Sequence, residues 1–248
     1  MLYYYIMMNT VVFDCETTGL DWKRNSIVSL GAVALPSGDE FYEECKILPG
    51  TEIDVNALGV NGFTKDEVLD EQKESAKDLY LHFAEFCKKH NAQVLSGFNI
   101  EYFDLRMLFA IAEKENLSWM FPTKFIDTKL DFEDYVFNNP KFEGLRNTIE
   151  TIYHFGDAVS TDPSQKINHI SMNRAMKFYG IDDEPEPHNA LGGAKYATEL
   201  FTLLYYKKHF IPEFAQFATP LEFKDANFSP NIKELDLNKL KRAFEEQA

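Results

Sequence analysis

Apolar positions along this chain follow two rhythms. Residues 10–14 (TVVFD) form a compact apolar run that predicts a buried strand. Residues 26–35 (SIVSLGAVAL) and 40–48 (EFYEECKIL) predict two more, joined through Pro36-Ser37-Gly38-Asp39 as a hairpin turn. The rhythm then changes. Residues 64–69 predict a short helix, and over 75–90 Leu79, Phe83 and Phe86 recur at helical spacing. Residues 93–98 (QVLSGF) predict another buried strand. Helices over 103–116 and 128–137 flank a short strand at 125–127. A helix over 171–179 stops at Gly180, and a long helix runs from 189 to 206. Between them 138–168 is less regular: Asn138-Asn139-Pro140 breaks structure, 144–154 suits a helix and 157–165 (DAVSTDPSQ) suits a loop. This order predicts an α/β domain around a mixed sheet whose first strands are antiparallel.

The pattern weakens after Pro212. Residues 218–230 (ATPLEFKDANFSP) read as a linker, and 231–247 predicts an amphipathic helix with Leu235, Leu237, Leu240 and Phe244 as its apolar residues. Its apolar face either packs back on the domain or docks a protein partner. The expected organisation is a main domain at 9–210 and an extension at 211–248.

Composition narrows the picture. A formal charge of −15 argues against a long basic nucleic-acid track, yet a small site can bind phosphates where metal cations supply the positive charge. The 22 Phe and 12 Tyr suit core filling better than a stacking surface. Cys15, Cys45 and Cys87 form no paired spacing, which suits reduced thiols in a cytoplasmic protein. No apolar run reaches the roughly 18 residues of a membrane span, and the start, MLYYYIMMN, lacks a basic region and a cleavage site.

Three features carry candidate chemistry. Asp14 and Glu16 close an apolar strand and, two residues apart, project to one side. Two carboxylates that close repel, so a bound proton, a basic partner or a divalent cation must offset them. An oxygen-rich cluster suits Mg²⁺ or Mn²⁺; a solvated strand end is the plainer alternative. Thr17-Thr18-Gly19-Leu20 forms a turn directly after the pair, with hydroxyl and amide donors suited to phosphate or sugar oxygens. The second feature runs from Gly97 to Asp104, where a strand hands over to a helix; taken singly, Asn99 or Asp104 also suits a helix cap. The third is His188, at the start of the 189–206 helix after an acidic, proline-rich loop at 182–187. A histidine beside a metal cluster can act as general base toward a water, or it can simply cap the helix.

Together these pieces resemble the DEDDh 3′–5′ exonucleases of the RNase H-like superfamily, a group that includes DnaQ-like proofreading subunits, RNase T and oligoribonucleases. The matching segments are D14-C-E-T-T-G-L20, N99-I-E-Y-F-D104 and H188-N-A-L-G-G193, with weaker matches at Val60-Asn61-Gly62-Phe63-Thr64 and Ile126-Asp127-Thr128. The resemblance covers about 10–208 and implies an RNase H-like mixed five-stranded sheet flanked by helices. It implies two Mg²⁺ or Mn²⁺ held by Asp14, Glu16 and Asp104, with His188 deprotonating the attacking water. A nucleoside monophosphate would leave a single-stranded DNA or RNA 3′ end, as in proofreading or repair. Thr17, Thr18, Gly19 and Leu20 would contact the terminal nucleotide, Phe63 would line its pocket and Asn99 would hold sugar or phosphate; core packing is the alternative for Leu20 and Phe63.

One position departs from the family pattern. An Asp is expected five residues after the histidine, where this chain has Gly193. Glycine offers no side-chain oxygen, and loss of even an outer partner of a metal costs roughly 10–100-fold in affinity or activity. On a helical wheel Asn189 lies about 40° from position 193 with a weaker amide oxygen, and Glu199 lies about 240° away. A pseudoenzyme, a site completed by water or by another residue, and an altered sequence all fit. So does a non-catalytic module that binds nucleic-acid ends or a protein partner.

Overall fold

The computed structural model describes residues 8–137, 170–217 and 228–246; the helix expected at 144–154 and the loop at 157–165 lie outside the described residues. The sheet order is β3-β2-β1-β4-β5-β6. It comprises β1 (Thr10–Thr17), β2 (Ile27–Leu35), β3 (Glu40–Glu44), β4 (Val94–Gly97), β5 (Lys124–Asp127) and β6 (Lys233–Glu234). β1, β2 and β3 are antiparallel neighbours, β1, β4 and β5 run parallel, and β6 adds antiparallel to β5. The five expected strands are all present. The sixth, only two residues long, is too short to carry a periodic signal.

The helices are α1 (Val55–Asn61), α2 (Lys65–Val68), α3 (Ala76–Lys89), α4 (Asp104–Lys114), α5 (Thr128–Phe137), α6 (Met172–Phe178), α7 (Ala190–Tyr206) and α8 (Leu237–Glu245). Residues of β2 are buried throughout, as a strand covered on both faces requires. On one face Phe13, Leu30 and Ala32 pack with Leu79, Phe83, Leu105 and Leu108 of α3 and α4. On the other, Val12, Leu35 and Ile126 meet Ala197 and Phe201 of α7, while Val33 meets Leu200 and Leu204.

Several expectations shift. β1 continues through the acidic pair to Thr17, because its ladder with β2 carries on through Asp14↔Gly31 and Glu16↔Ser29. β3 ends at Glu44, four residues early. Helix α1 was not expected from its sparse apolar positions; Asp54 caps it by accepting from Asn56 N, and Gly62 ends it at φ 76°. The tail helix starts at Leu237, where the Asp236 side chain accepts from Lys239 N, and 233–234 becomes the edge strand instead. Its apolar face is used within the chain: Leu240 is buried, and Phe244 lies 5.4 Å from the Trp22 ring and 6.4 Å from Phe109.

Glu199 does face away from the acidic strand end. It is fully buried, accepts from Phe210 N at 3.0 Å and Ile211 N at 2.9 Å, and pairs with His209 Nδ1 at 2.5 Å. It therefore ties α7 to the segment that follows. Glu199→Ala strands these donors and should lower unfolding free energy by about 3 kcal/mol in urea titration, with or without divalent ions.

Candidate active site

β1 and β4 pair only from Thr10↔Val94 to Val12↔Ser96, whereas β1 stays with β2 as far as Thr17. They part at the carboxyl ends of the parallel strands, the usual place for an α/β site. Alternation along β1 sends Phe13 and Cys15 into the core under α3 and α4 and Val12 toward α7. Asp14 and Glu16 share the face of Val12. Beyond the split the Cys15 N–H has no β4 partner. It donates to Asp104 Oδ1 at 3.1 Å, and the Cys15 thiol donates to the same oxygen at 3.1 Å. Asp104, the first residue of α4, is 2% exposed. The acidic groups thus approach the end of β1 from both faces.

Helix α7 arrives through a close backbone contact. A Cβ added at Gly31 would stand 2.3 Å from Ala190 C and Leu191 N, so the first turn of α7 lies directly on β2. Gly31 is the register partner of Asp14. The same contact sets Gly193 against Asp14, where an added Cβ would be 2.3 Å from Asp14 Oδ2. Position 193 therefore faces the first carboxylate of the D-x-E pair, and that carboxylate fills the space beside it.

The electrostatics are one-sided. Burial raises the Asp14 carboxyl well above its ordinary range, and the negative charges of Asp104, Glu16 and Glu184 push it further. Burial raises Asp104 to about 7 against the opposing bonds from Cys15. Burial also raises Glu16, with His188 pulling it back down. The His188 backbone N–H donates to Val60 O at 3.1 Å, which fixes the start of α7 to α1. Oxygen donors crowded at one buried strand end with surplus negative charge fit a hard divalent cation by chemistry. In the arrangement seen, no three of these groups among the described residues stand close enough to hold an ion together.

The remaining sequence candidates divide. Thr17 Oγ1 donates to Gly19 O at 2.8 Å; Thr18 Oγ1 donates to Glu52 O at 2.7 Å and accepts from Ser26 N at 3.0 Å. Both hydroxyls are thus committed within the fold, Thr17 inside the turn and Thr18 to Glu52 and Ser26 beside it. A Cβ at Gly19 would meet the Asn25 amide at 2.6 Å. Leu20 projects from the turn at 83% exposure. Phe63 is half-buried beside Val28, Leu58 and Val68, under Lys73 Nζ at 4.9 Å. Asn99 takes a left-handed φ of 68° and donates its N–H to Asp127 Oδ1 at 3.2 Å.

Three residues gain roles that motif reading did not give them. Asp127, 1% exposed, accepts from the N–H groups of Asn99, Glu101, Lys129 and Leu130, and so holds the loop that delivers Asp104. Its place at a strand end before Thr128 was the available signal. Cys15 holds Asp104 directly. Glu184, from the 182–187 loop, projects its charge onto both Asp14 and Glu16.

A mixed sheet of this order, with carboxylates where its strands part and the first turn of a long helix packed over them, is an RNase H-like fold. Residues 11–201 match the family model RNase_T, described as Exonuclease, and the chain belongs to that family. The nuclease domain of 3′hExo, a DEDDh family member, bound to rAMP, superposes with a TM-score of 0.56 at 14% identity, covering 94% of this chain and 99% of that one. E. coli Exonuclease I in complex with a 5cy-dT13 oligonucleotide gives 0.54 at 13% identity over 84% of this chain and 42% of that one. In sequence, DNA polymerase III PolC-type of Thermotoga petrophila is 32% identical over 121 residues, 48% of this chain; the chain spans 8% of that relative's length. No helix among the described residues is long and apolar enough to cross a membrane.

The raised carboxyls set a pH dependence. Asp104 keeps its proton in the fold up to about 7, whereas an unfolded aspartate releases it near about 3.9, so the fold binds more protons in between. Stability from this group is complete below about pH 4 and lost as pH rises through about 7; Asp14 and Glu16 act in the same direction. In chelator, the melting temperature should fall by several degrees from about pH 5 to about pH 8. Excess Mg²⁺ should remove most of that fall, because a cation favours the ionised forms. Parallel melting curves with and without the ion would contradict this.

Proposed function

We propose that the chain is a DEDDh-type 3′–5′ exonuclease that removes nucleoside monophosphates from single-stranded or short DNA or RNA 3′ ends. The observation that supports this reading is that, inside the matched family segment, Asp14 and Glu16 share one face of the end of β1 while Asp104 bonds the residue between them, with His188 favouring the ionised form of Glu16. Asp14, Glu16 and Asp104 would hold two Mg²⁺ or Mn²⁺, which would supply positive charge to the attacking and leaving oxygens of a phosphodiester. His188 takes the proton of the attacking water on an imidazole nitrogen. The turn built by Thr17 and Thr18 positions Gly19 and Leu20, and exposed Leu20 packs beside the terminal base. Asn99 and Phe63 border the nucleotide. The cations also explain how a chain of charge −15 receives a polyanion. Catalysis belongs to 9–210, with helix α8 of the 211–248 extension packed against α4, in a cytoplasmic protein acting in proofreading or repair.

The solved relatives carry rAMP and a dT13 oligonucleotide, which supports both RNA and DNA as substrates here. Gly193 favours a second reading, a module that binds ends with impaired turnover. A 5′-labelled single strand in Mn²⁺ tests both. The exonuclease reading expects shortening one nucleotide at a time from the 3′ end, lost in Asp14→Ala. Binding without shortening supports the second reading, and cutting at internal positions overturns the first.

A further inference from the structure

The glycine pair at the start of α7 meets a carboxylate at each residue. Asp14 lies against Gly193, and a Cβ added at Gly192 would stand 3.1 Å from Glu184 Oε1. Glu184 comes from a loop that is fastened around it. Its N–H donates to Asn173 Oδ1 at 3.0 Å, Tyr196 OH donates to Asp183 O at 3.0 Å, and Lys177 pairs with Asp183 at 2.7 Å. The backbone therefore directs this side chain at the first turn of α7. Glu184 is half-buried and its carboxyl group accepts from the Asn189 N–H, but Oε1 itself is buried without a hydrogen-bond partner, a costly state for a carboxylate oxygen unless a proton or a cation meets it. Its negative charge acts on Asp14 and on Glu16 together. Both glycines matter to this arrangement. Gly193 leaves room for Asp14, and Gly192 leaves room for Glu184.

We propose that Glu184 supplies the fourth carboxylate of the divalent-ion site, entering from the 182–187 loop across Gly192 in place of the side chain that position 193 lacks. This rests on the reading of the site as an exonuclease centre. The ligand is a hard divalent cation, and Mn²⁺ alone is the probe. Calorimetric Mn²⁺ titration of the full chain compares the wild type with Glu184→Gln, Asp183→Asn and Asp14→Asn. Glu184→Gln keeps the side chain's shape and removes its charge. It should weaken Mn²⁺ binding roughly 10–100-fold. Asp183→Asn, the neighbouring acid paired to Lys177, should leave affinity unchanged, and Asp14→Asn should abolish it. Melting in chelator should be unchanged or raised in Glu184→Gln, which establishes that the fold is kept.

Wild-type affinity in Glu184→Gln alongside loss in Asp14→Asn would overturn the role of Glu184 and leave the exonuclease reading standing. Equal weakening in Asp183→Asn would also overturn it, since the effect would then be general charge. Absence of Mn²⁺ binding by the wild type would overturn both.

Discussion

Asp14→Ala should lower nuclease turnover roughly 100-fold or more and, in chelator near neutral pH, raise the melting temperature. Both effects have one cause. The charges that act on Asp14 are Asp104, Glu16 and Glu184, all negative, and burial adds to their effect. Without a cation, ionised Asp14 destabilises its surroundings, so its removal relieves the fold. With a cation the same charge becomes a ligand, and its removal forfeits ion affinity. The wild type should therefore gain several degrees of melting temperature on adding Mg²⁺, while the variant gains little. Glu199→Ala provides the contrast. Glu199 is satisfied by Phe210 N, Ile211 N and His209 within the fold, so its loss should destabilise equally in both conditions. If Asp14→Ala behaved like Glu199→Ala, with a lowered melting temperature in chelator and retained turnover, Asp14 would be a structural acid and the proposed chemistry would fail.

What the sequence made legible were features whose cause is local. An apolar run ending in D-x-E signals a strand end with two carboxylates on one face, and β1 bears them there. Helical spacing marked α3, and Gly180 marked the end of α6. Features that depend on contacts across the fold were not legible. Glu184 sits in a loop with Asp182, Asp183 and Glu186, and nothing in the order of those acids singles it out. Only the glycine pair on α7, seated by the close approach of Ala190 to Gly31, makes it the acid that reaches the site. Cys15 resembled an ordinary buried thiol. Its N–H and thiol hold Asp104 because β4 leaves β1 after Val12, a parting that is a property of the sheet. The Thr17 and Thr18 hydroxyls suited ligand donors by type, but Thr17 bonds within the turn and Thr18 ties it to the carbonyl of Glu52.

Gly193→Asp should have opposite effects with and without metal. A Cβ at this position would lie 2.3 Å from Asp14 Oδ2, so the Asp14 carboxylate must rotate away, a movement open to the end of a short side chain. In chelator the new carboxylate joins Asp14, Glu16, Asp104 and Glu184 at one buried strand end, and repulsion should lower the melting temperature. Two local gains oppose this: aspartate improves on glycine inside the helix by a few tenths of a kcal/mol, and a negative charge in the first turn of α7 is favoured by about 0.3–1 kcal/mol. Repulsion among buried carboxylates should exceed both. In Mn²⁺ the balance reverses, because the ion draws Asp14 off Gly193 and gains another oxygen donor. Affinity and turnover should then rise roughly tenfold. The double variant separates the possible origins of that gain. If Glu184 stands in for the missing acid, Glu184→Gln should cost much less in the Gly193→Asp background than alone, since two carboxylates serving one function are not additive. Additive losses would mean that Glu184 and position 193 act independently, and that the wild-type site works with three acids and water.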